Sequence, residues 1–168
     1  MAANQVLKNI NLFVDGKGQA GQLQGFTPPK LELKMEEYRA GGMFSSVDIE
    51  MGLNKLECSF SLFGYDPEVL ALMGVRSGTG TPYIARAALE DFDGTVTGMK
   101  YTMRGKMKVQ DHGELKPGEL SPLKCDLSLA YYKLEHGNRI IHEIDVENMV
   151  YIVDGVDIMA AQRAALGI

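Results

Sequence analysis

The sequence predicts a mainly β fold, an antiparallel sandwich or barrel of short strands accompanied by two short helices. Two observations carry this reading. Apolar and polar residues alternate with period two through most of the chain, the habit of strands that bury one face. Only two segments break into helical spacing, and both are short. A chain of 168 residues is long enough for one domain, residues 1–168, with a substantial core.

The elements follow in order. Val6, Ile10, Leu12 and Val14 share one phase and end at "DGKG", a turn signal. Leu31, Leu33 and Met35 alternate with Glu32, Lys34 and Glu36, and Val47, Ile49, Met51 and Leu53 alternate with Asp48 and Glu50. Between these two strands stands "MEEYRAGGM", residues 35–43. A turn requires its glycines but not Tyr38, Arg39 and Met43. Leu56, Cys58, Phe60 and Leu62 form the next strand phase, and a weaker alternation marks residues 83–92.

Met99, Tyr101, Met103, Met107 and Val109 then alternate with a polar phase that includes Lys100, Arg104, Lys106 and Lys108. Leu123, Cys125, Leu127, Leu129 and Tyr131 continue the pattern, and "EHGN", residues 135–138, turns the chain into residues 139–153. In "DPEVLALMGV" Asp66 caps a helix, Pro67 opens it and Gly74 stops it, with Val69, Leu70, Leu72 and Met73 as its buried stripe. In "DIMAAQRAALG" Asp157 is the expected cap and Gly167 the stop, with Arg163 near the negative helix end. Both helices are expected to cover the outer side of the sheet.

A formal net charge of −5 argues against an all-over nucleic-acid footprint. Cys58 and Cys125 both fall on apolar strand phases, which predicts two buried thiols rather than a disulfide framework, with a single bridge left open. The opening "MAANQVLKNINLFVDGKG" has neither a basic nor an apolar leader region, and no apolar run approaches the roughly 18 to 20 residues that span a bilayer. Synthesis and first action in a cytoplasm, without stable membrane binding, are the expectation.

Reactive chemistry finds little to build on. G-x-S-x-G, H-E-x-x-H, a Walker-type glycine loop and C-x-x-C are all missing from the sequence. "SGTGTP", residues 77–82, reads as a flexible loop rather than a phosphate cradle. His112 and His136 sit in polar turns, and His142 shares a strand phase with Ile140, Ile144 and Val146, so no metal set is implied. Two charged rows stand out. Lys100, Arg104, Lys106 and Lys108 project from one strand face, with alternate side chains about 6.6 to 7 Å apart, and either meet phosphates or discourage edge-to-edge pairing. Glu143, Asp145 and Glu147 form an acidic row that faces solvent or a partner and does not wrap an ion. These residues read as a binding or structural module without a cofactor.

Taken in chain order, "TPPKL" (27–31), "EEYRAGGM" (36–43), "VDIEMGL" (47–53), "MRGKMK" (103–108), "YYKLEHG" (131–137), "EIDVENM" (143–149) and "VDGVD" (153–157) resemble the major tail tube proteins of contractile-tailed bacteriophages. They are equally similar to the tube protein of R-type pyocins, headless tail-like bacteriocins (tailocins). The blocks run from about residue 6 to the C-terminus, although "FTPPKL" carries a doubled proline and residues 77–98 match poorly.

The resemblance implies a sandwich-like subunit whose sheets join between neighbours into a ring barrel, with six-membered rings stacked into a hollow tube. It implies a sheath, a tape-measure protein, and baseplate and tail-terminator proteins as partners. DNA would pass through only in a virus with a head, and the assembled product would be a virion tail or tailocin particle, built in the bacterial host cytoplasm. It places an inter-subunit loop on residues 36–53, with Tyr38, Arg39, Gly41, Gly42, Met43, Asp48 and Glu50 as its assembly residues. The acidic row then faces either the lumen or a neighbour's basic row, and Asp66 and Glu68 on the first helix face the sheath. The competing readings are a type VI secretion-like tube protein, a DNA-binding β-module using the basic row, and a hydrolase whose nucleophile the sequence does not display.

Overall fold

The computed structural model describes residues 4–74 and 80–168. Its strands are β1 (Val6–Val14), β2 (Lys17–Gly18), β3 (Leu23–Thr27), β4 (Leu33–Tyr38), β5 (Val47–Leu53), β6 (Glu57–Leu62), β7 (Thr81–Glu90), β8 (Val96–Asp111), β9 (Leu123–His136), β10 (Arg139–Asp145), β11 (Val150–Val153) and β12 (Val156–Asp157). The helices are α1 (Pro67–Leu70) and α2 (Ala160–Leu166).

Two long strands organise the molecule. β8 and β9 pair with each other along nearly their whole length, and each serves two layers. Residues 131–136 of β9 pair with β10, whereas residues 123–128 pair with β6. β7 covers β8 only as far as Gly105. One layer therefore runs β12-β11-β10-β9-β8-β7-β1-β2, and the other continues from the same two strands through β6 to β3. All these pairings are antiparallel.

The turn from one layer to the other falls where the β8–β9 register slips, at Arg104/Gly105 and again at Met107/Val109. Bulges bend and twist a strand pair, as a sandwich built on a shared hairpin requires. Gly105 permits the close approach: a Cβ there would stand 2.2 Å from the Ser128 carbonyl oxygen. The core fills the space between the layers. Leu12, Tyr83 and Met103 meet Phe60, Leu62 and Leu123, all nearly inaccessible. Phe60 and Tyr83 lie 6.2 Å apart across the layers, and Phe26 meets Tyr101 edge-on at 5.6 Å.

Several expectations change in detail. β7 is a central strand with Tyr83, Ala85, Ala87 and Leu89 buried. Its small alanines gave a weak alternation. β3 escaped notice because a register slip between Leu23 and Gly25 breaks its period. Val6 and Val109, placed on buried phases by alternation, are 44% and 40% exposed, each next to a bulge. The loop expected over residues 77–82 lies partly outside the described residues, and strand begins at Thr81.

Asp66 caps α1 as expected, accepting from the Glu68 amide at 3.1 Å. The helix ends at Ala71 rather than Gly74, however, and of its expected stripe only Val69 is fully buried while Met73 is exposed. α2 departs further. Its N-cap is Met159, not Asp157, and none of its own residues is buried. Gly167 ends it in the left-handed conformation, φ 75°, as the sequence predicts.

Candidate assembly surfaces

β4 and β5 stand apart from the sandwich as a two-stranded arm. Strand pairing here runs further into "MEEYRAGGM" than alternation suggests: Glu36, Glu37 and Tyr38 are strand, opposite Ile49, Asp48 and Val47. Opposed residues share a face, so Tyr38, Val47 and Ile49 lie on one side with Glu36. Glu37, Asp48 and Glu50 lie on the other with Met35. The alternation read from the sequence put Met35 in phase with Ile49. The slip at Leu33/Met35, with Gly52 at φ 99°, moves it to the acidic side.

The tip is a tight turn. Gly42 takes φ 86°, where a side chain is strained, and the Met43 amide donates to the Ala40 carbonyl at 3.2 Å. Gly41 has no such conformational need, since its φ is not positive. Arg39 is exposed, and Phe44, which sequence reasoning passed over, lies entirely in solvent. The arm's apolar side is exposed to a similar degree throughout: Tyr38 49%, Val47 50%, Ile49 44%. An isolated hairpin is marginal in water, and this one leaves its apolar side open to solvent.

The second surface is the outer face of the large layer, where the two charged rows meet. Lys100, Thr102 and Arg104 on β8 oppose Glu135, Lys133 and Tyr131 on β9, and Lys133 and Tyr131 in turn oppose Glu143 and Asp145 on β10. Basic and acidic residues thus share one face of one subunit. Lys100 pairs with Glu135 at 3.4 Å, and Arg104 lies over the Tyr131 ring at 5.4 Å. The Tyr131 hydroxyl donates to Glu143 at 2.9 Å. Burial and that carboxylate push the Tyr131 phenol up to about 12.

The basic row keeps its outward phase along β8, alternating with buried Met103, Gly105 and Met107, but past the bend Lys106 and Lys108 lie over the other layer, and Lys108 pairs with Glu57 at 2.6 Å. The acidic row ends at Asp145, which accepts from Asn148 to close the β10–β11 turn, and Glu147 sits in that turn. Asp66 and Glu68 are not free acids either, because Lys17 reaches them at 3.0 and 3.1 Å. That pairing holds the Asp66 carboxyl below its ordinary value.

A third feature was invisible in the sequence. At the foot of the arm lies an apolar crevice of about 660 Å³, floored by Leu56, Leu129 and Ile144 and walled by Met51, Val146 and Met149. The remaining candidates stay dispersed. His112 stacks on Tyr65, His136 meets Gln5 at 3.0 Å, and the Nδ1 of His142 is buried without a partner. Cys58 and Cys125 are free and buried, each thiol pushed up to about 12 mainly by burial. They are diagonal neighbours, Cys58 facing Leu127 and Cys125 facing Phe60. Diagonal partners stand about 7 Å apart where a bridge needs about 4 Å between Cβ atoms.

A sandwich with an uncovered amphipathic arm and an open charged sheet face defines a structural subunit of an assembly. The chain belongs to the phage tail tube proteins: the family described as phage tail tube protein FII matches residues 4–167. It is 32% identical to the tail tube protein of Escherichia phage P2 over the full length of both chains. It is 31% identical to the major tail tube protein of Serratia phage KSP20, covering 92% of this chain and 91% of that one. In fold it resembles a chain of the sheath–tube complex of the extracellular contractile injection system PVC, with TM-score 0.57 and 8% identity over 76% of this chain and 88% of that one. A chain of the PVC sheath/tube terminator gives TM-score 0.56 and 8% identity over 76% and 93%. The protein is thus a tail tube protein and a component of a phage tail.

Proposed function

We propose that the protein self-assembles into hexameric rings that stack into the inner tube of a contractile tail, without catalysing a reaction. The observation that carries this is the arm of residues 36–53, whose apolar side and tip have nothing to cover them within the subunit. Tyr38, Val47 and Ile49 supply contact area to a neighbour, Arg39 a rigid donor fork, and Gly42 the tight turn, while Gly41 and Met43 complete the tip. Asp48 and Glu50, with Glu37, form the wet side of the ribbon. Free sheet edges, such as the outer side of β1 beyond its short pairing with β2, become seams between neighbours.

The open face of the large layer lines the bore, so Lys100, Arg104, Glu143 and Asp145 meet whatever passes: DNA in a virus, or nothing before membrane puncture in a tailocin. α1 with Asp66, Glu68 and Lys17 faces outward to the sheath. The chain acts as one tail tube unit, alongside tape-measure, baseplate and terminator proteins, and assembles in the host cytoplasm. Negative-stain electron microscopy of the concentrated protein tests this. Hollow rings or tubes of six-fold appearance are expected, and compact monomers at every concentration would overturn self-assembly.

A further inference from the structure

Phe44 and the crevice stand at opposite ends of the same arm. Phe44 is at the tip with its side chain in solvent, and Met51 and Leu53 at the root wall the crevice. Antiparallel strands advance about 3.4 Å per residue, so the strand Leu33–Tyr38 carries the tip about 17 Å from the root. A paired hairpin cannot fold back through that distance, and the crevice lies beyond reach of its own Phe44. We infer that the crevice receives Phe44 from the arm of a second copy of this chain, an inference that rests on the tube assembly proposed above.

Three features fit donor to receptor. The crevice is lined by Leu56, Leu129, Ile144, Val146 and Met149, an apolar surface suited to an aromatic anchor, and its volume of about 660 Å³ admits a phenyl ring with room for flanking side chains. Charge matches beside the anchor. Arg39 near the tip and Glu147 in the turn between Val146 and Met149 are both exposed. Neither joins any ion pair among the described residues. Finally, donor and receptor are different patches of one subunit, so the contact is head-to-tail and propagates around a ring or along a filament, as a self-paired interface would not.

The test is a designed cross-link. Phe44→Cys and Val146→Cys are placed in one chain, the protein is assembled, oxidised mildly and run on a denaturing gel. Cys58 and Cys125 are buried and do not compete. A ladder of covalent multimers is expected from the double variant and from neither single variant. In parallel, Arg39→Glu is expected to raise the concentration needed for assembly at least about tenfold, and Glu147→Arg in the same chain to recover most of that loss. Tubes of the double variant that give no ladder would overturn the inference and leave the tube reading intact. If the double variant does not assemble, the charge swap decides: failure of Glu147→Arg to rescue Arg39→Glu overturns the inference. Absence of tubes from the unsubstituted protein would instead remove the tube reading itself, and the inference with it.

Discussion

A methyl group at position 105 would collide with the Ser128 carbonyl oxygen, at 2.2 Å, and with the Leu129 Cα, at 2.9 Å. Backbone cannot step aside as a flexible side chain can, so Gly105→Ala is expected to cost at least about 3 kcal/mol. Thermal unfolding measures it, with Gly98→Ala as control. Gly98 has open space around it and an ordinary φ, and that substitution should be neutral or slightly stabilising. The cysteines make a second prediction at this scale. With both thiols buried and raised to about 12, a thiol reagent at neutral pH should label neither in the folded protein and both in denaturant. Rapid labelling of the native chain would contradict the packing of β6 against β9.

Among the elements, α2 and the arm share a property: each is ordered with little burial. α2 is tied down by polar contacts instead. Arg163 forms an ion pair with Asp157 and donates to the Met149 carbonyl at 2.7 Å, while Asp157 also accepts from the Met159 amide at 3.0 Å. The Arg163 guanidinium beside it holds the Asp157 carboxyl below its ordinary value of 3.8. A depressed carboxylate favours the folded state above 3.8 and loses that effect as pH falls through the lowered value. The tether should therefore be intact near neutrality and released only in strong acid. Asp157→Asn should release it at all pH values, read as faster hydrogen exchange across residues 163–168. For the arm, exchange in a demonstrably monomeric sample should be fast over residues 36–53 and slow once tubes form. Strong protection in the monomer would show that the arm needs no neighbour.

At the scale of the whole molecule, the two-layer bend decides which charges act together. It brings Lys100, Arg104, Lys133, Glu135, Glu143 and Asp145 onto one open face and carries Lys106 and Lys108 away. A bore lined this way is mixed in sign rather than simply acidic, with much of its charge paired internally. Glu143→Lys with Asp145→Lys leaves the basic side unopposed. Tubes of that variant should retain DNA in co-sedimentation, with binding that weakens steeply as salt rises. Unsubstituted tubes should not retain it. Failure of the variant to form tubes would place the two acids at a subunit seam instead.

Period-two alternation determined the fold class and most of the longer strands, because burying one face of an antiparallel sheet forces the pattern into the sequence. It also determined the unusual status of "YRAGGM", where apolar and cationic residues surround a turn that needs only Gly42. The ordered blocks carried the family. Local signals cannot report register, so the tertiary structure alone decided the rest. The slip at Leu33/Met35 reassigns faces that alternation had fixed, since a one-residue shift moves every later side chain to the other side. It split the arm into an apolar and an acidic side, and the bend at Arg104/Gly105 and Met107/Val109 divided the basic row between two layers. The crevice came from packing distant segments together, Leu56 with Leu129, Ile144 and Met149, and no single stretch of the chain contains it.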